Sequence, residues 1–95
     1  MKTKNEYIDI LAAQLKELSA EIDILTEKAD NAAEQVKQNS AADLQALRAK
    51  KAAAIEKMKE LEESHGEAWR ELKHTADKVW EDLRTGLSAV SAKFK

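Results

Sequence analysis

The chain has no cysteine and no proline, only two glycines, and four aromatic residues among 95: two Trp, one Tyr and one Phe. Without cysteine there is no disulfide framework, no thiolate metal site and no cysteine nucleophile, and thiols say nothing about the compartment. Without proline, with scarce glycine and few aromatic strand fillers, a sheet-rich fold lacks both its turns and its strands. Nowhere do eighteen apolar residues run together, so no membrane span is expected. The formal net charge is -2, which gives no basic footprint for nucleic acid. The opening Met1-Lys2-Thr3-Lys4-Asn5-Glu6 is charged and leads into an amphipathic pattern rather than an apolar signal core, so a soluble cytoplasmic protein is expected.

Charge and helix formers are abundant. Charged residues make up 36% of the chain and hydrophobic ones 43%. Ala, Glu, Lys, Leu and Arg together exceed half, a bias typical of coiled coils and long amphipathic helices. At 95 residues this is a single all-α domain, 1–95, too short to bury much more than about two-thirds of its unfolded surface alone.

The apolar positions Ile8, Leu11, Leu15, Leu18, Ile22, Leu25, Ala29, Ala32 and Val36 advance by alternating steps of three and four. Such a seam averages about 3.5 residues per turn and faces a neighbouring helix. Its second half shrinks to Ala and buries less. Near Gln38-Asn39-Ser40-Ala41 the phase slips, since Leu44 and Leu47 resume one residue out of step. Two accounts are open. Ser40, followed by Asp43, can cap the start of a new helix. Alternatively, Ala29, Ala32, Val36 and Ser40 form an eleven-residue repeat that a continuous helix absorbs, and the absence of Gly and Pro favours this. Beyond the slip, Lys51 falls on or beside the seam, where its stem must lie along the interface.

Ser64-His65-Gly66-Glu67 is the clearest punctuation. Gly66 can take the left-handed conformation that closes a helix, and Ser64 and Glu67 stand at capping-box spacing. The most amphipathic segment follows, with Trp69, Leu72, Ala76, Trp80, Leu83, Leu87, Val90 and Phe94 on one arc. Ala68-Trp69-Arg70-Glu71-Leu72-Lys73 also repeats as Val79-Trp80-Glu81-Asp82-Leu83-Arg84, three helical turns later. Gly86, inside this segment, reads as a tolerated interior glycine, with a point of close backbone approach as the other option. Trp69 and Trp80 are the expected anchors of so aromatic-poor a core. The competing reading is a helix on a lipid surface, with Lys73, Arg84 and Lys95 bordering its apolar face. Asp77, Glu81 and Asp82 weigh against it by leaving the segment nearly neutral.

Chemistry-bearing patterns are sparse. His65 and His74 lie nine residues apart, not at the four-residue spacing of a helical metal pair, and read as a turn residue and a solvated one. There is no phosphate-binding Gly loop, nucleophile elbow or triad, so neither catalytic, metal nor cofactor residues are assigned. The charge runs read as wet helix faces, with Glu34–Lys37, Glu56–Lys59, Lys59–Glu63 and Glu67–Arg70 at pairing distance.

The opening Met-Lys-Thr-Lys-Asn-Glu-Tyr7, the Ala/Lys/Glu-rich middle, the two Trp blocks and the closing Ala92-Lys93-Phe94-Lys95 resemble small bacterial coiled-coil proteins of a stress-response family. The resemblance implies association with stress and no catalytic residues. The favoured architecture is a long helix over about 3–63, a turn at 64–66 and a second helix over about 67–94. The alternative is an antiparallel three-helix bundle broken near 38–41. In the hairpin the helices are about 90 and 40 Å long, which leaves the seam from Ile8 to Leu25 uncovered. A homodimer with antiparallel long helices then follows. The expected packing and interaction residues are Ile8, Leu11, Leu15, Leu18, Ile22, Leu25, Trp69, Leu72, Trp80, Leu83, Leu87 and Phe94. The expected function is a non-enzymatic structural or interaction protein with a protein partner, with membrane-surface binding as the alternative.

Overall fold

The structure, a computed structural model, describes residues 3–94; Met1, Lys2 and Lys95, with the border role expected of Lys95, lie outside the described residues. The described residues form three helices and no strand: α1 Lys4–Asp30, α2 Glu34–Glu63 and α3 Ala68–Ala92. They pack pairwise into a rod of 51 × 18 × 17 Å. Lys4 at the start of α1 donates to the Glu62 and Ser64 carbonyls at the end of α2, so these two helices are antiparallel. Leu11 meets Trp80 and Gln14 meets Arg84, so α1 and α3 run the same way.

The chain is all-α, as composition requires, but the expected continuous helix over 3–63 is broken at residues 31–33. Asn31 closes α1: its backbone N–H and its side-chain amide both donate to the Glu27 carbonyl at 3.1 Å, and the Ala32 N–H donates to the Ala29 carbonyl at 3.2 Å. Ala33 then turns extended, with φ -59° and ψ 152°. Folding back supplies the seam of α1 with a neighbour from its own chain, and that burial outweighs the helix propensity of Ala32 and Ala33. The three-helix arrangement therefore holds, with its break seven residues earlier than the slip near 38–41 indicates. Ser40 lies buried within α2, and its hydroxyl donates to the Val36 carbonyl at 2.8 Å rather than capping a helix start. Val36, expected on the seam, is 39% exposed because the phase resets at the turn.

The core is one continuous cluster. α1 contributes Tyr7, Leu11, Leu18, Ile22, Leu25 and Ala29, α2 contributes Leu44, Leu47, Ala54 and Leu61, and α3 contributes Ala76, Trp80, Leu83, Leu87 and Val90. Ile8, Leu15, Trp69, Leu72 and Phe94 pack half-buried against it. Leu11 to Leu25 thus find their partners within the chain, and the length mismatch from which a homodimer follows does not arise in this fold. The turn at residues 64–67 is where it is expected, with Gly66 at φ 60°. Ser64, however, ends α2, donating from its hydroxyl to the Leu61 carbonyl at 2.7 Å, and Glu67 makes no capping bond. Thr3 is a true N-cap, accepting from the Glu6 N–H at 3.2 Å. At Gly86 a Cβ would stand 3.1 Å from a Leu47 methyl and from Lys50 Nζ, so glycine permits the close approach of α3 to α2. Lys51 is half-buried on the seam side of α2, while the expected Glu56–Lys59 pair forms only a long 4.0 Å contact.

Trp80 is 1% exposed, and Trp80→Ala removes the largest fully buried side chain. The expected loss is about 3–5 kcal/mol in denaturant unfolding, against less than about 0.5 for Ile24→Ala, which is 51% exposed. Equal losses at the two positions would show that the packing is not as described.

Candidate functional site

Two places on the bundle gather polar chemistry. The first is the end where α1 and α3 begin. Tyr7 stands one helical turn before Leu11, so its ring enters the core while its hydroxyl reaches the edge of α3. That hydroxyl donates to the Asp77 carboxylate, with the Lys73 carbonyl oxygen 3.2 Å away. Lys73 Nζ lies 5.2 Å from the ring centroid, a cation–π distance, and the Trp69 ring sits 6.3 Å away, tilted by 47°. Burial first, then the hydrogen bond and negative charge of Asp77, push the Tyr7 phenol well above its usual value. The phenol is thus held protonated, as a fixed donor tying α1 to α3. A group so held supplies neither a base nor a nucleophile at neutral pH.

The second place is a groove of about 650 Å³ between α1 and α2, near their connecting turn. Buried Ala29 and Leu44 lie among its lining residues, with Ala41 beside them. Lys37, Gln38, Gln45 and Arg48 from α2, and Thr26 and Asp30 from α1, supply polar edges. Arg48 donates to the Thr26 hydroxyl at 3.2 Å across it. The groove follows the helices and opens to solvent, so it matches an elongated surface such as another helix better than an enclosed small molecule.

Of the residues singled out by sequence, Leu11, Leu18, Ile22, Leu25, Trp80, Leu83 and Leu87 come together in the core. Ile8, Leu15, Trp69, Leu72 and Phe94 flank it. The seam is therefore occupied intramolecularly. Trp80 Nε1 donates to the Leu11 carbonyl at 3.2 Å, and a lipid-surface role for α3 would require that bond and the whole face to open. Sequence reasoning missed Tyr7, although its four-residue spacing to Leu11 was a usable signal. It also missed the groove, which exists only because the chain turns at 31–33. His65 and His74 are exposed, and among the described residues no group of three or more His, Asp or Glu side chains is placed to hold a metal. No described helix is long and apolar enough to cross a membrane.

Comparison with protein-family models, curated proteins and solved structures finds no match to this chain.

Tyr7 links its protonation to stability with a definite sign. Its folded value is raised above the unfolded value of about 10. Its contribution is therefore complete below about pH 10 and is lost as pH climbs beyond it. Melting temperatures of the parent should fall more steeply between about pH 10 and 11.5 than those of Tyr7→Phe. Tyr7 is the sole tyrosine, so its phenolate absorbance also reports it directly. Parallel curves for the two proteins, with the phenol ionising as in a free peptide, would contradict the tie to Asp77.

Proposed function

We propose that this chain is a non-enzymatic helical structural and interaction protein, acting in the cytoplasm through contact with a protein partner. The resemblance adds an association with bacterial stress response to that proposal. The observation that supports it is the α1–α2 groove, an open channel in which the buried apolar side chains of Ala29 and Leu44 meet amide and charged edges. Helix-in-groove recognition uses this combination: an apolar stripe supplies contact area and flanking polar groups set orientation. Most of the large apolar side chains are taken up by the core, with Ile24, Val36 and Ile55 exposed outside it. Neither the protonated Tyr7 corner nor the open channels between helices offer an enclosed place for substrate chemistry.

The test is crosslinking capture from stressed and unstressed bacterial cells, with two variants alongside the parent. Ala41→Trp fills the channel, and Arg48→Glu reverses charge at its edge. A specific protein recovered with the parent should fall at least about tenfold with either variant, which corresponds to about 1.4 kcal/mol or more of lost affinity. Ile24→Ala, outside the groove, should retain it. Recovery of the same proteins by parent and groove variants alike would remove this reading, as would the absence of any specific partner.

A further inference from the structure

The two turns of the bundle are built differently, and the difference bears on what the chain can do with a second copy of itself. The turn at residues 64–67 depends on Gly66 at φ 60°, outside helical space. The turn at residues 31–33 contains no glycine, no proline and no positive φ. Asn31 sits at φ -97° and ψ 1°, close to helix, and at Ala33 φ is already helical at -59° while ψ, at 152°, is not. Ala33 also gives α2 no side-chain cap, unlike Thr3 at α1. The first amides of α2 therefore lack the acceptors that a continuous helix would provide from residues 30–32.

The side chains across this turn are also arranged for continuity. Leu18, Ile22, Leu25, Ala29, Ala32 and Val36 follow one another at steps of four and three straight through it. Val36, the last of them, is 39% exposed in the folded-back chain, so the seam is only partly used.

We infer that residues 31–33 are a hinge through which two copies of this chain exchange α1. In the open form, α1 and α2 join into one helix over residues 4–63, about 90 Å long. The α1 half then packs on α2 and α3 of the other copy, remaking between chains the contacts of Leu11, Ile22 and Leu25 that each copy makes within itself. The two long helices cross antiparallel at the hinge, where small Ala29 and Ala32 allow close approach and Val36 of each copy gains cover. This inference rests on the hinge and the core seam, not on the α1–α2 groove, and stands or falls separately from the partner-binding reading.

Refolding over a range of protein concentrations, followed by size-exclusion chromatography with light scattering, tests it. The parent should give a doubled-mass species whose fraction rises with the concentration at which it folds. Ala33→Pro suits the φ of the turn but not a helix interior, and should weaken that species at least about a hundredfold while leaving the monomer's helicity intact. Asn31→Ala removes the amide that closes α1 and should enlarge the dimer fraction. Lys4→Cys combined with Glu62→Cys, joined by a bis-maleimide whose spacer replaces the lysine's reach, supplies the topology, since Lys4 Nζ lies against the Glu62 carbonyl: in the dimer, the reagent should link the two chains to each other. The inference is overturned if parent and Asn31→Ala both stay monomeric at every folding concentration. It is equally overturned if the dimer survives Ala33→Pro, or if the dimer's crosslinks form only within each chain.

Discussion

The placement of the Trp80 indole governs the bundle. Its ring is the largest apolar body fully buried in a chain with few aromatics, and it carries one N–H that must find an acceptor once out of water. The Leu11 carbonyl, already engaged within its own helix, offers its second lone pair at 3.2 Å. That contact fixes how α3 lies along α1. Tyr7 with Asp77, Leu11 with Trp80 and Gln14 with Arg84 are separated by 70, 69 and 70 residues, a single parallel register held over two turns of helix. Sliding α3 by one turn would take the indole away from its acceptor, costing about 1–3 kcal/mol for the unpaired donor alone. With α1 and α3 parallel, α2 must run back between their ends. Lys4 on the Ser64 carbonyl, Arg48 on the Thr26 hydroxyl and Lys93 on the Asp43 carboxylate fasten it along its length.

This dependence also explains which parts of the structure were legible in the sequence. The core face of α3 reads off well because its spacing is regular and its residues are large: Trp80, Leu83, Leu87 and Val90 are buried, while Trp69, Leu72 and Phe94 on the same arc are half-buried. The seam of α1 reads equally well from Leu11 to Leu25. Periodicity, however, says only that a stripe needs a neighbour, not whether that neighbour belongs to the same chain. The break at 31–33 was hidden for that reason. Its residues are Asn, Ala and Ala, two of them good helix formers, and the only local signals were Asp30-Asn31 and the acidic Glu34 that opens α2. Tertiary burial decided against local propensity there, whereas at Gly66 the two agreed. The groove between α1 and α2 was illegible for the same cause, since its walls are brought together by a turn the pattern does not announce.

Tyr7 shows a different limit of sequence reading. It was visible as an aromatic residue in the first helix, but a ring at the end of a seam can face either core or solvent. The decision came from residues some seventy positions away: Asp77 accepts from its hydroxyl and Lys73 lies over its face. Both were readable only as polar positions on their own helix. Side chains that meet across parallel helices carry no mutual spacing in the sequence, so such a corner emerges only after the register is set, and the register is set by Trp80.

The contrast between the two turns follows from the same hierarchy. Near Gly66 the backbone is committed, because a positive φ there is compatible with only one course of the chain. At residues 31–33 no glycine, proline or positive φ commits the backbone, and beyond the Asn31 amide on the Glu27 carbonyl the turn depends on the packing it permits. The bundle buries its core surface within one chain, and the exchange of α1 that we propose would bury the same surface between two. Both preserve the contacts of Trp80 with the Leu11 segment. What distinguishes them is the cost of bringing two chains together against the backbone gain of an uninterrupted helix, and protein concentration enters only the first.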